Sequence, residues 1–600
     1  MPIPVFCGRG SVRARGRLTA AALVGAALLV VALPARAAPP PPRHVVLYYM
    51  SEAAMSASNT RPLVGYVRDG VAVDWMFDGL IAFDYTLYND GTPPTSTEVT
   101  SYVTRLFDGG QLATLADTVA ALRVELGDPT YRLKVYLTAP YVSGANANTN
   151  VQTLLDRWAA LGRDELELMG FYWGFEEDLF AGSAATARMR ATASYIHAAG
   201  YEMVWIPYMS SAGGVDGWRG YGFDHAALQV GYAFGDFDTS RFVVADESMR
   251  SWGLSGIELE TADVRNPRIT DADRVLASGL TYLAQANRCN WAESDWNVFY
   301  HGTAIASFAT GARRALYDAY YRFVAARPRS SVRAHTRVVT TADTYVEAAV
   351  GYQDVNHGAD ARLNLGTNLY PNANRVYLLF DLVGVPPAED VLAVHLQLDV
   401  REFPYPPTIA DAELYEVGSP TWTESELTYA SQPSEVTRLS SYRFQTNDSY
   451  PVRHSLDVTA QVQAALARGE ISFMLRRATE DAVTREATFD SRESGASVAP
   501  ALQFVTTRWP TPPTDGGAGL DAAMGVDAGA RIDGGPARDA GGLDASAARD
   551  AGRAGVDEGV GGCGCRVGRD HRPRSERGLA AIAAAAALAS AWCLRRRSSR

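Results

Sequence analysis

The spacing of apolar positions along this chain changes character twice. From about 44 to 328, short apolar runs alternate with stretches whose apolar residues recur at helical spacing. The runs are HVVLYYM (44–50), GLIAFDY (79–85), RLKVYLTAPY (132–141), LELMGFYWGF (166–175), EMVWIPYM (202–209), LQVGYAF (228–234), GIELE (256–260) and NVFYHG (297–302). Between most of them lie helical patterns such as EVTSYVTRLF, QLATLADTVAALRVEL, NVQTLLDRWAALG and ATARMRATASYIHAAG. Strands alternating with helices imply a parallel sheet, and this many units predict a (β/α)8 TIM-like barrel over 44–328. The rival is an open doubly wound sheet. It would carry a Gly-rich phosphate turn after its first strand, where this chain has YYMSEAAMS. From about 332 to 507 the strands are short and alternating, with frequent turn residues, which predicts an antiparallel β-sandwich.

Both ends look like addresses. Arg9, Arg13, Arg15 and Arg17 precede the apolar run LTAAALVGAALLVVAL, and ARA at 35–37 offers a small-residue exit site. That is a secretory signal peptide over 1–37. An uncleaved anchor is the alternative, but the run falls short of the ~20 residues a spanning helix needs. Residues 508–560 are built from Asp, Ala, Gly and Pro, with Asp515, Asp521, Asp527, Asp533 and Asp539 evenly spaced. So few large apolar residues predict a disordered linker. Over 561–600, GGCGCRVG precedes an Ala-rich apolar run, Leu579 to Leu594, and RRRSSR. Arginines after such a short transmembrane segment hold that end on the cytoplasmic side.

The net charge is −12, and much of the Arg sits in the two end segments. A processed protein more acidic still excludes nucleic acid and anionic membrane as partners, leaving membrane contact only through the C-terminal segment. Outside the address segments Cys289 is the only cysteine, so the fold rests on its hydrophobic core rather than on disulfides. The single lysine, Lys134, begins a predicted strand instead of ending one, which argues against Schiff-base chemistry. No HExxH, paired CxxC, P-loop or GxSxG pattern is present. No cofactor is expected; a structural calcium is compatible with the sequence. A monomer is expected.

Barrels present reactive groups at the C-terminal ends of their strands. The fourth predicted strand ends in Glu176, and the seventh carries Glu258 and Glu260, two apart and so on one face. Carboxylates from two strands at one mouth are what glycoside cleavage needs, one as acid and one as nucleophile or base. Glu176 is the candidate acid. Glu260 and Glu258 share the second role, with Glu260 nearer the strand end. Glu177 and Asp178 are read as caps of the following turn. The strand ends are also rich in aromatics, among them Tyr48, Tyr49, Tyr141, Tyr172, Trp173, Trp205, Tyr208, Trp218, Tyr232 and Tyr300. Such rings stack on sugars, although alternation sends about half of them into ordinary packing. The substrate-binding candidates are Tyr172, Trp173, Trp205, Tyr208, Asp224, Gln229, Tyr232, Tyr300 and His301, with Asp224 and His301 equally readable as loop anchors. Polysaccharide or another glycan is the expected partner.

Three resemblances extend this reading. WMFDGLIAF, GFYWGFE, VWIPYM, GFDHAALQVGYAF, GIELE and RRALYDAYYRFV occur in order across the first region. Together they resemble the domain of unknown function 4855 family, which implies a glycosidase-like barrel. That family's acid after its aromatics falls on Glu176, and its paired acids on Glu258 and Glu260. Where the family usually has Pro-Asn between Gln and Tyr of the sixth strand, this chain has Val230 and Gly231, so an amide that would contact substrate is missing. The segments ADTYVEAAVGYQDVNHGADARLNLG, RVYLLFDLVGVP, TWTESELTYASQP, SLDVTAQVQAALARGEISFML and TFDSRESGASVAPALQFV resemble the DNRLRE-type carbohydrate-binding modules. A purely structural stalk is the alternative. The C-terminal segment resembles myxobacterial-type surface sorting tags, implying cleavage near Cys563 or Cys565; a plain tail anchor would give a similar location. Together these imply a secreted, surface-displayed glycoside hydrolase anchored at the cell surface or outer membrane. The alternative is a non-catalytic adhesin, which the Val230–Gly231 departure favours.

Overall fold

The computed structural model describes residues 42–508, apart from 51–52, 88–93, 141–145, 175–182, 210–214, 233–238, 261–271, 301, 328–331, 367–372, 404–408, 419–420, 434–436, 446–450 and 481–485. The expected signal peptide, residues 509–560 of the linker, and the tail with Cys563 and Cys565 lie outside the described residues. Among the described residues no helix is long and apolar enough to cross a membrane.

The first region closes into an eight-stranded parallel barrel. Its strands are β1 (His44–Tyr49), β2 (Gly79–Phe83), β3 (Leu133–Ala139), β4 (Leu166–Trp173), β5 (Glu202–Trp205), β6 (His225–Gln229), β7 (Gly256–Leu259) and β8 (Asn297–Phe299). β1 pairs with both β2 and β8, which shuts the ring. Helices cover it, including Gln111–Leu126, Asn146–Leu161, Ser183–Ala198, Ser240–Ser251, Ala272–Arg288 and Arg314–Val324.

The period-2 pattern sorts each strand into two faces. Val45, Leu47, Tyr49, Ile81, Phe83, Tyr136, Tyr172, Val204, Ala227, Val298 and Tyr300 fill the barrel interior. Their neighbours, among them Val46, Tyr48, Leu80, Ala82, Val135, Leu137, Phe171, Met203, Ile257 and Leu259, pack in the layer beneath the helices. Gly170 marks a tight crossing from β4 to β5, because a Cβ there would lie 2.0 Å from the Glu202 carbonyl oxygen.

Two elements differ from the sequence reading. β6 begins at His225, three residues before the predicted start, because Ala226 and Ala227 carry little strand propensity yet fit, Ala226 under the helices and Ala227 in the narrow interior. The second is a hairpin of Gly65–Arg68 with Val71–Trp75, which lies outside the predicted strands. Its Asp69-Gly70 turn has φ of 50° and 82°, the positive pair that a two-residue hairpin turn requires.

The second region is two antiparallel sheets. Its strands are β9 (Ala334–Val339), β10 (Ala342–Val346), β11 (Arg362–Leu365), β12 (Arg375–Asp381), β13 (Val391–Glu402), β14 (Ile409–Val417), β15 (Thr437–Gln445), β16 (Val452–Asp457), β17 (Glu470–Arg477), β18 (Ala487–Asp490) and β19 (Ala501–Thr506). One sheet runs β9-β19-β13-β18-β11, with β16 also on β13; the other runs β10-β12-β17-β14-β15. Leu378, Phe380, Leu396, Leu398, Phe473, Phe489, Leu502 and Phe504 form the core between them. Leu392, Ala393 and Val505 join the barrel's outer apolar layer, so the two regions share packing.

Candidate functional site

Strand alternation carries Glu258 and Glu260 to the interior side of β7, since Ile257 and Leu259 belong to the outer layer. Register agrees: Glu258 pairs with Val298, which is interior, and with Gln229. Glu258 is fully buried, and Glu260, one layer nearer the mouth, is 1% exposed. The backbone N–H of Gly231 donates to Glu260 Oε1. The Tyr282 hydroxyl donates to the main-chain oxygen of Glu258 and so ties the strand end to the helix behind it. Burial, then the charges of Glu260 and Glu258, hold the Tyr282 phenol well above its ordinary range. Burial and Glu260 raise Tyr320 likewise. Neither phenol ionises near neutral pH, so Tyr282 stays a donor to the Glu258 carbonyl.

At the interior, toward the C-terminal strand ends, aromatic rings meet edge to face. Tyr49 lies 4.9 Å from Phe83 and 5.5 Å from Tyr300, and Phe83 lies 5.7 Å from Tyr172, between centroids. These four rings come from β1, β2, β4 and the end of β8. Tyr172 and Tyr300 are thus brought together inside the barrel with Tyr49, another of the strand-end aromatics, and with Phe83, which the sequence reading did not single out.

Gln229 ends β6, its N–H donating to Pro207 O and its carbonyl accepting from Met209 N, at 2.8 and 2.9 Å. This bridge holds Tyr208 beside Gly231. Arg241, at the start of helix Ser240–Ser251, donates from Nε to the Val230 carbonyl and from Nη2 to the Tyr208 hydroxyl at 3.4 Å. No motif advertised Arg241; only the fold brings it to this rim.

Other candidates land elsewhere. Trp173 and Trp205 face the outer layer, and Trp205 stacks on Phe223 with centroids 5.0 Å apart. Their strand neighbours Tyr172 and Val204 take the interior places, so these tryptophans are packing residues and not interior sugar platforms. Tyr232 packs against Phe242 at 4.5 Å, also on the helix side. Asp224 precedes β6 and therefore lies at the N-terminal end, opposite the mouth. There its Oδ2 accepts from Met203 N at 2.7 Å and meets His197 Nε2 at 2.8 Å, so it is a loop anchor. Glu176 and His301 lie outside the described residues.

A cavity of about 690 Å³ opens at the N-terminal end of the barrel, between it and the sandwich. Three of its arginines are paired with acids, Arg250 with Asp246, Arg327 with Glu293 and Arg453 with Asp399, and Arg219 lies over the Trp218 ring, 4.2 Å from its centroid. It reads as a joint, far from Glu258 and Glu260.

Comparison with known proteins bears on both regions. No curated protein matches. Among solved structures, the tryptophan synthase α-subunit of the hyperthermophile Pyrococcus furiosus is 11% identical, covering 47% of this chain and 98% of that one, with a TM-score of 0.27. A D-psicose 3-epimerase is 10% identical, covering 47% and 97%, with a TM-score of 0.23. A glucosidase from Croceicoccus marinus is 9% identical, covering 67% and 78%, with a TM-score of 0.20. Similarity this low speaks to neither substrate nor reaction. The family models match more specifically: the barrel region matches the domain of unknown function DUF4855 over 46–153 and 147–322, and the sandwich matches carbohydrate-binding module family 96 over 334–506.

Proposed function

We propose that the barrel is a glycoside hydrolase and that the sandwich binds the same class of glycan. The reading rests on one observation: two interior carboxylates, Glu258 and Glu260, at the C-terminal end of β7, where barrels meet their substrates. In this scheme Glu260, which accepts the Gly231 N–H, is nucleophile or base. Glu176, just beyond β4 in sequence, is the general acid. A spacing of about 5–5.5 Å between the two carboxyls would give retention, and about 6.5–9.5 Å inversion. Tyr49, Tyr172 and Tyr300 supply flat apolar faces for a sugar ring. Export through the N-terminal signal and display through the Cys-containing tail complete the proposal; the charge and hydropathy of those segments support it.

The test is product release from a panel of polysaccharides by wild type, Glu176→Gln and Glu260→Gln. Wild type should release reducing ends on at least one glycan, and each variant should lower kcat by about 10²–10⁴-fold while still binding. A second reading, glycan capture without cleavage, is favoured by the near-complete burial of both acids. Binding by wild type with no product on any glycan would establish it instead.

A further inference from the structure

The sandwich holds a cluster that neither the barrel chemistry nor the glycan-binding assignment uses. Asp343 on β10, Glu424 in the turn after β14 and Glu493 in the turn after β18 converge from three distant parts of the chain. One carboxylate oxygen from each lies within 4.8 Å of the others. Oxygens around one calcium ion lie at about 2.3–2.6 Å from it, hence at most about 5 Å apart.

The second observation is Asp343 itself. It is 1% exposed. Its Oδ2 accepts from the Arg492 N–H at 3.1 Å, but Oδ1 is buried with no hydrogen-bond partner. Leaving a carboxylate oxygen dry and unpaired is costly, so something that binds oxygen belongs there. Arg492 does not fill the role. Its guanidinium is spent on Glu424, with Nε to Oε1 at 2.9 Å and Nη2 to Oε2, and lies 3.1 Å from Glu493. Three carboxylates and one guanidinium leave a charge of −2, which a divalent cation neutralises. Glu493 is the most exposed of the three and gives solvent a way in.

We propose that Asp343, Glu424 and Glu493 bind one divalent cation, with calcium preferred. All donors are hard oxygens on an irregular array, which calcium accepts and magnesium, demanding near-octahedral geometry, does not. The ion would pin three loops at one end of the sandwich. A proton on Asp343 Oδ1 is the competing way to satisfy the same atom.

The experiment uses the full chain stripped with EDTA, with calcium and magnesium chlorides as probes. Titration calorimetry and the melting temperature are read at about 1 mM ion, the affinity range of extracellular calcium modules. One calcium per chain should bind and raise the melting temperature, with a smaller effect from magnesium. Glu493→Gln, on the surface and so expected to fold, should weaken calcium at least about tenfold, because affinity follows ligand charge. Asp343→Asn should abolish binding. No calcium-dependent shift in wild type, or an undiminished one in Glu493→Gln, overturns the proposal; a wild type whose stability answers only to pH assigns the site to a proton.

Discussion

At position 231 a side chain would have nowhere to go. Gly231 has φ of 73°, and a Cβ there would sit 2.8 Å from the Tyr208 ring. Its N–H meanwhile serves Glu260. The missing Pro-Asn pair looked, in the sequence, like a lost hydrogen bond to substrate. The structure puts a main-chain donor at that place, so the departure does not strip Glu260 of its partner. Gly231→Ala should therefore destabilise by about 1–2 kcal/mol, the cost of a left-handed L-residue. Gly231→Asn should cost more than Ala, because its larger side chain adds to the clash with Tyr208 and Arg241 even though Asn enters that region more readily. Urea unfolding of the two variants checks the order, and an alanine variant as stable as wild type would show that the turn is not needed. The inward aim of Glu258 and Glu260 was legible because strand period is rigid. The same rule, applied residue by residue, separates Tyr172 from Trp173. Reading the aromatic run as one block blurred them. Asp224 stayed open between substrate contact and loop anchor in the sequence, and its place before β6, bonded to Met203 N, decides for the anchor.

Among the elements, the strands with β-branched and aromatic residues were legible, and β6 was the weak one. Two alanines and a histidine make a strand only because neighbouring β5 and β7 supply the pairing. The hairpin at 65–75 was readable in principle from its Asp-Gly turn, since that pair tolerates positive φ. In the sandwich, β17 is the central packing element. Phe473 is fully buried and meets Phe380 at 6.2 Å. Phe473→Ala should cost about 3–5 kcal/mol, measured by denaturant melts. Near the start of β18, Glu486 illustrates the opposite sign. Burial, then the charges of Glu347 and Glu402, push its carboxyl up to about 7. An unfolded glutamate titrates near about 4.3, so the folded state holds the extra proton between those values. That stability is complete below the unfolded value and is lost as pH rises through about 7. Glu486→Gln should accordingly raise the melting temperature at pH 8 and leave it unchanged at pH 4.5. Equal effects at both pH values would show that charge is not the cause.

For the molecule as a whole, the sandwich is bound to the barrel's N-terminal end, away from Glu258 and Glu260. The sequence could not show this, because the contacts join residues far apart and mostly polar. Arg288 pairs with Asp411 at 2.7 Å, Arg322 with Asp457 at 3.0 Å, and Ser455 Oγ donates to Glu293 at 2.6 Å. Arg443, from β15, is the centre of the joint. It lies 3.2 Å from Asp411 and 3.7 Å from the fully buried Asp246 of the barrel. Removing it leaves both acids with their second arginines, Arg288 and Arg250. The loss should therefore be moderate, about 1–3 kcal/mol. Cooperativity across the joint rests on more than this arginine. Shared packing through Leu392, Ala393 and Val505 makes barrel and sandwich unfold together, so calorimetry of the wild type should show one transition. Arg443→Ala leaves that packing and the Arg288–Asp411 and Arg322–Asp457 pairs in place, so it should lower the melting temperature and keep one transition. Two transitions already present in the wild type would mean that the joint holds the regions side by side without coupling their stability.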